Sequence, residues 1–150
     1  MRKTGVWQAI LWSGLIVGAL DITYAIVSNG LRGVGWVRIL QSVGSGLLGR
    51  DAFAGGLPTA ALGLACHFLN AFIIAAIYCA ASRRLPWVAQ RAALCGLLYG
   101  AVVYLVMSRV VVPLSAAPFT IPLRLTDLFA HLFLIGLPIS LVASRYADKP

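Results

Sequence analysis

Residues 57–81 read LPTAALGLACHFLNAFIIAAIYCAA and contain no Asp, Glu, Lys or Arg. As an α-helix this stretch would be about 37 Å long, which exceeds the ~30 Å needed to cross the hydrocarbon of a bilayer. Its apolar residues follow one another without alternation, so a membrane β-strand is disfavoured. The stretch therefore predicts a transmembrane helix.

Three further stretches of this kind lie at 6–28, 92–112 and 125–143, and each is long enough to cross a bilayer. Pro138 is predicted to kink the last of them, which membrane helices tolerate. The opening Met-Arg-Lys also resembles a signal peptide, but the apolar run continues past Asp21 and residues 22–25 make a poor cleavage site. The prediction is an all-α polytopic membrane protein, with four transmembrane helices in a bundle and residues 1–150 in a single transmembrane domain.

The composition of the 150-residue chain supports lipid as its main solvent. Hydrophobic residues make up 61% and charged residues 11%, with no Glu, whereas a soluble domain is about 25% charged. The net charge of +8 would suggest nucleic acid, but the Lys and Arg residues stand at the edges of apolar runs, where headgroups accept them. We expect the bilayer as partner and no nucleic acid. Cys66, Cys79 and Cys95 lie within apolar stretches and are interpreted as buried hydrophobes.

Residues 31–49 differ from the four spans. Apolar residues recur there at helical spacing, while Arg38, Gln41, Ser42 and Ser45 fall on the other side. This pattern predicts an amphipathic helix lying in the interface plane. A re-entrant segment is the alternative, because three glycines weaken any helix here.

The basic residues predict the orientation. The two termini and the loop between spans two and three carry Arg2, Lys3, Arg83, Arg84, Arg91, Arg145 and Lys149. The opposite side carries Arg32, Arg38, Arg50, Arg109 and Arg124. Seven against five, in short segments, predicts that both termini are cytoplasmic.

Two motifs suggest an internal duplication. Gly14-Leu-x-x-Gly18-Ala matches Gly96-Leu-x-x-Gly100-Ala, and a Leu-Pro or Ile-Pro pair precedes His67 and His131 by the same interval. The chain is therefore interpreted as two helical hairpins in tandem, related as parallel repeats are. The four glycines are interpreted as helix-packing positions, at which spans one and three would cross.

Ionisable residues inside spans are costly and usually face the protein interior. His67 and His131 each lie nine residues beyond a proline, hence about 14 Å from the same interface. Together with residues of the same half of the membrane they predict one intramembrane polar cluster: Asp21, His67, Asn70, Arg109, Asp127 and His131. Arg109 would neutralise one of the two carboxylates.

Three functions are compatible with such a cluster. In the first, its members only satisfy one another, and the chain is a structural or accessory component that binds a larger membrane complex. In the second, they line a proton or small-solute pathway, since histidine titrates near neutrality, and a transporter of only four spans would need to form a homodimer. In the third, His67 and His131 ligate haem b from both sides while the glycines leave room for the porphyrin. No other metal or cofactor is expected.

Motifs of soluble enzymes, such as the P-loop, HExxH and GxSxG, do not occur, so an enzyme is not favoured. Three segments resemble an uncharacterised family of short four-helix bacterial inner-membrane proteins: Gly96-Leu-Leu-Tyr-Gly-Ala101, Val110-Val-Val-Pro-Leu-Ser-Ala116 and Gln41-x-x-x-Ser45-Gly-Leu-Leu-Gly49. The resemblance implies a multi-pass protein of the bacterial cytoplasmic (inner) membrane. It implies no catalytic or ligand-binding residue.

Overall fold

The structure is a computed structural model that describes residues 3–146. Most of these residues are helical, and no strand occurs among them. Four helices are long and apolar enough to cross a membrane: Gly5–Gly30, Gly56–Arg84, Ala92–Leu114 and Leu125–Arg145. The predicted all-α class and the number of long apolar helices are confirmed. Arg2 and Lys149, which contribute to the predicted orientation, lie outside the described residues.

Each long helix extends beyond the predicted span by up to three residues at an end, and two of them are not α-helical throughout. The α-helices are α1 (Lys3–Gly30), α2 (Trp36–Leu48), α3 (Gly56–Arg84), α4 (Pro86–Gln90), α5 (Ala92–Val106), α6 (Val112–Leu114), α7 (Leu125–Ala130) and α8 (Leu137–Arg145). A 3₁₀ helix, Gly49–Phe53, follows α2. Two π-helical segments interrupt the later spans: Met107–Val111 joins α5 to α6, and His131–Gly136 joins α7 to α8.

The two ends of the molecule differ in their connections. One end, here called the terminal end, holds the start of α1, the end of α8 and the short link from α3 to α5. The other end, called the loop end, holds α2, the 3₁₀ helix and residues 115–124. The links before and after α2 turn sharply at Gly33, Gly49 and Gly56, whose φ angles of 84°, 60° and 61° favour glycine.

The core occupies the terminal half. The first span packs against α3, α8 and the second π segment, and α5 packs against α8 and the same π segment. Ala9, Cys79 and Ile139 are completely buried there. Between the second and third spans, the Tyr78 and Tyr99 rings lie 5.1 Å apart. Only 22–28% of the most apolar part of each span is buried within the protein. The remaining apolar surface faces outward, which suits lipid.

Two of the four polar residues of α2 are buried against α3. Gln41 and Ser45 are buried, 4% and 0% exposed, and Gln41 Nε2 donates to Gly56 O at 3.0 Å. Close contact with α3 is made by glycine, because a Cβ at Gly63 would collide with the carbonyl group of Leu40. Gln41 and Ser45 therefore face the protein, because amide and hydroxyl groups find partners at the glycine-lined crossing, whereas Arg38 on the same side is exposed. The interfacial position of α2 stays a prediction.

The glycine motifs lie at helix contacts, but spans one and three do not cross there. A Cβ at Gly14 would collide with the Phe72 ring of the second span, and one at Gly18 would lie 2.6 Å from the Phe68 ring. The first motif thus packs within its own hairpin. The expected crossing fails because the large rings of the second span already fill the space beside these glycines.

The second motif follows the same rule in the other hairpin. A Cβ at Gly96 would lie 2.7 Å from Gly136 O, and one at Gly100 would collide with the His131 carbonyl oxygen. Both neighbours belong to the fourth span. In each half of the chain, therefore, the glycine motif of the first helix brings the histidine-bearing helix close.

Candidate functional site

A cavity of about 350 Å³ lies among the four spans in the loop-end half of the molecule. Most of its wall is apolar, with polar groups contributed by every span, as is common for ligand pockets. The polar lining of the spans consists of Asp21, Tyr24, Ser28, Asn29, His67, Asn70, Tyr104, Ser108, Asp127 and His131.

The cavity reaches the surface at the loop end. Its wall there includes Arg32, Arg124 and Phe119, all of them exposed. One side is formed by α2, which is tied to the loop of residues 115–124 by a 3.0 Å hydrogen bond from Ala116 N to Gly46 O. These residues form the entrance to the cavity.

The opposite end of the cavity is closed. Ile139 lies at its base and is completely buried. The hydroxyl of Tyr99 donates a 2.7 Å hydrogen bond to Ile74 O and so joins the second and third spans. The packed core beyond these residues separates the cavity from the terminal end.

The structure brings together five residues of the predicted cluster on the cavity wall, namely Asp21, His67, Asn70, Asp127 and His131. The sixth, Arg109, is exposed and does not line the cavity. It belongs to the first π segment, whose wider turn changes the direction in which successive side chains point. The cationic groups on the wall are instead those of Arg32 and Arg124.

Hydrogen bonds to main-chain carbonyl groups orient the two histidines. His67 Nε2 lies 2.9 Å from Gly18 O, and His131 Nδ1 lies 2.7 Å from Asp127 O. A carbonyl oxygen only accepts, so these two ring nitrogens carry the hydrogen. The first bond joins two spans, whereas the second stays within the fourth span.

Sequence reasoning missed two tyrosines of this site. Tyr24 donates a 2.9 Å hydrogen bond to Asp127 Oδ1. Tyr104 donates to Arg124 O at 3.1 Å, accepts from Arg124 N at 2.7 Å, and lies with its ring 5.0 Å from that of His131. Their spacing was a usable signal, since Tyr24 follows Asp21 by three residues and Tyr104 follows Gly100 by four, on the same helix faces.

This geometry gives the haem alternative no support. His67 Nε2, the usual ligating nitrogen, is engaged by Gly18 O. The glycine faces that would accommodate a porphyrin are filled by Phe68, Phe72 and the main chain of the fourth span. Within residues 3–146, no three His, Cys or Asp side chains come close enough together to hold a metal ion.

Both π-helical segments contribute to the cavity wall. The first supplies Met107 and Ser108, and the second supplies His131 and Ile135. Single π-helical turns within α-helices are frequent at functional sites. The two irregular segments thus coincide with the region that has the most polar groups.

The structure establishes a coarse class, a chain with four helices long and apolar enough for a multi-pass membrane protein. The resemblance to short bacterial inner-membrane proteins stays a prediction. The chain matches no protein-family model, and no curated protein or solved structure is significantly similar to it.

Proposed function

We propose that this chain is a membrane carrier that binds a small solute in the loop-end cavity and passes it across the bilayer. The observation that carries the proposal is the cavity, which gathers polar side chains from all four spans around an open volume of about 350 Å³. Ligand pockets typically measure about 300–1,000 Å³. Polar groups are expensive in this setting and usually serve a substrate or ion.

The volume favours binding over a cluster that only satisfies itself. A single water needs only about 10–15 Å³ of such space. A self-satisfied cluster would leave little more than that, because its side chains would fill the space between them. The cavity is more than ten times larger, so it accommodates a solute of many atoms.

The closed base favours a carrier over an open channel. Exposed residues line the cavity at the loop end, whereas the completely buried Ile139 lies at its base. Beyond it, the hydroxyl groups of Ser13 and Tyr78 are buried without a hydrogen-bond partner among the described residues. An opening toward the terminal end would give these hydroxyls water, which offsets the free-energy cost of burying them unpaired.

The setting proposed for this carrier is the bacterial inner membrane, with a four-helix bundle and both termini in the cytoplasm. The exposed arginines at the terminal end, namely Arg83, Arg84, Arg91 and Arg145, support this orientation. The exposed Trp36 of α2 suits an interfacial position. Only four spans enclose the pathway, so we propose that the carrier works as a homodimer or within a larger membrane complex.

Cysteine labelling in membranes tests whether the cavity is wet. In a variant whose three native cysteines are replaced by Ala, Asn70→Cys places a thiol on the cavity wall, and Leu69→Cys places one on the exposed apolar face. A membrane-impermeant maleimide should label the first and not the second, because thiolate formation needs water. Labelling of both positions would contradict the membrane setting, and labelling of neither would contradict an open cavity.

Ligand-induced thermal stabilisation of the purified protein tests solute binding. The panel contains small cationic, anionic and neutral amphiphiles. At least one class should raise the Tm of the wild type and of Ala19→Phe, which alters the exposed face of α1. It should not raise that of Ala25→Phe, which fills the cavity. Stabilisation of the wild type by none of the classes would contradict a carrier and favour the accessory-subunit alternative.

A further inference from the structure

The hydroxyl groups on the cavity wall have already used their hydrogens. Six residues with hydroxyl groups line the cavity, and each donates to a protein oxygen. They are Tyr24, Ser28, Ser42, Tyr104, Ser108 and Ser115. A hydroxyl group has one hydrogen and two lone pairs, so these groups retain only accepting capacity toward a ligand.

The histidines add further acceptors. His67 Nε2 and His131 Nδ1 hold the hydrogens that point to main-chain carbonyl oxygens. In the neutral ring the other nitrogen, Nδ1 of His67 or Nε2 of His131, carries a lone pair. One N–H of the Asn29 amide group donates to Ala25 O within the same helix.

Asp21 is the carboxylate left for a ligand. It is half-buried on the cavity wall, about 14 Å below the loop end of α1 at 1.5 Å per residue. Asp127 accepts the hydroxyl hydrogen of Tyr24. Asp21 has no side-chain hydrogen bond to any other residue within 5–146.

Positive charge is confined to the entrance. Arg32 and Arg124 line the cavity but are exposed, so water screens their guanidinium groups. The interior therefore combines two carboxylates, of which Asp21 has no hydrogen bond among the described residues, with several lone pairs and an apolar wall. Its remaining donors are the amide group of Asn70 and the second N–H of Asn29.

From this we infer that the solute is an organic ammonium ion with an apolar body, and that Asp21 is its counter-ion. This rests on the proposed function, because it names the substrate class of the same cavity. An ammonium group has up to three donors and no acceptor, which complements a wall that offers acceptors. The rings of Tyr24 and Tyr104 add surfaces that attract a cation.

Three probes of similar shape test the charge preference: 2-phenylethylammonium, 2-phenylethanol and 3-phenylpropanoate. Their Kd values are measured by calorimetry on the detergent-purified full chain. The ammonium ion should bind wild type roughly ten- to a hundredfold more tightly than the alcohol, as expected for a charge-assisted hydrogen bond. The carboxylate should bind most weakly.

Two variants locate the counter-ion. Asp21→Asn should reduce the preference for ammonium over alcohol to less than about threefold. The matched control Asp51→Asn removes the same charge from an exposed position outside the cavity and should retain the preference. Unchanged binding of the alcohol by Asp21→Asn shows that the variant is folded. The charge preference itself is measured on the wild type and does not depend on the variant.

The outcomes separate this inference from the proposed function. Equal or tighter binding of the alcohol or the carboxylate by wild type overturns the ammonium inference and leaves a solute carrier. If Asp21→Asn retains the full preference for ammonium, only the assignment of Asp21 as the counter-ion is overturned. Failure of all three probes and of the wider panel overturns both.

Discussion

The phenol of Tyr24 donates a 2.9 Å hydrogen bond to Oδ1 of Asp127, a residue 103 positions later in the chain. The bond joins the first span to the fourth at the wall of the cavity. It also leaves Asp21, one helical turn before Tyr24, without the same support. Two carboxylates in one cavity thus have different surroundings, one held by the protein and one available to a solute.

Replacing Tyr24 by Phe should destabilise the protein by about 1 kcal/mol, because the half-buried carboxylate of Asp127 loses its donor. The measurement is thermal unfolding in detergent. Tyr146→Phe serves as the control, since that hydroxyl makes no hydrogen bond to any described residue. Equal Tm values for the two variants would show that the bond between the spans contributes nothing.

Gly63→Ala should destabilise the protein by roughly 1–3 kcal/mol, the usual cost of overpacking. The added methyl group would collide with the carbonyl group of Leu40 and force α2 away from α3. Gly30→Ala is the matched control, because a Cβ there meets open space. Thermal unfolding compares them, and a Gly63→Ala variant as stable as the control would contradict the close crossing.

His67→Ala should lower the stability more than His131→Ala, by about 1 kcal/mol. The reason is that His67 bonds to a carbonyl oxygen of another span, whereas His131 bonds within its own helix. The two unfolding curves in detergent provide the comparison. Greater loss in His131→Ala would mean that its contact with Tyr104 matters more than the bond between spans.

Purified protein mixed with haemin should show no bis-histidine Soret band, because His67 Nε2 is already hydrogen bonded and the glycine faces are filled. An absorption spectrum of wild type and of His67→Ala checks this. A band present in wild type and lost in His67→Ala would restore the haem alternative.

The orientation is tested with a reporter that is active only in the cytoplasm, fused to the C-terminus of the chain. We expect the cytoplasmic result, and we expect Gln at Arg83, Arg84 and Arg91 to weaken it, since these exposed charges favour retention on that side. Arg32→Gln, Arg38→Gln and Arg50→Gln together form the control, which should strengthen it. A periplasmic signal from wild type would reverse the proposed orientation.

The helices were predictable because the signal for a span is local. Residues 57–81 contain no Asp, Glu, Lys or Arg, and no tertiary contact is needed to predict a helix long and apolar enough to cross a membrane. The depth of the two histidines in their spans also follows from local sequence. Counting residues from Pro58 and Pro122 placed them in the half that holds the cavity.

Contacts between helices were harder to predict. Gly14 and Gly18 are small residues on one face, but which helix fills that face depends on Phe68 and Phe72, whose rings fit there. The sequence could not show whether the side of α2 that carries Gln41 faces α3 or water. A buried amide group with hydrogen-bond partners and a solvated one look alike in sequence. The predicted place of Arg109 in the cluster was wrong for a third reason, because the π turn around it is not visible in a hydropathy pattern.

The second π segment gives the two hairpins different rotational phases. A π turn takes in an additional residue, so side chains beyond it are rotated by about 100° relative to an uninterrupted α-helix. In the fourth span this shift falls between His131 and Leu137, whereas α3 has no such insertion. His67 and His131 can thus both line one cavity, while α8 turns a different face to its neighbours than it would without the π turn.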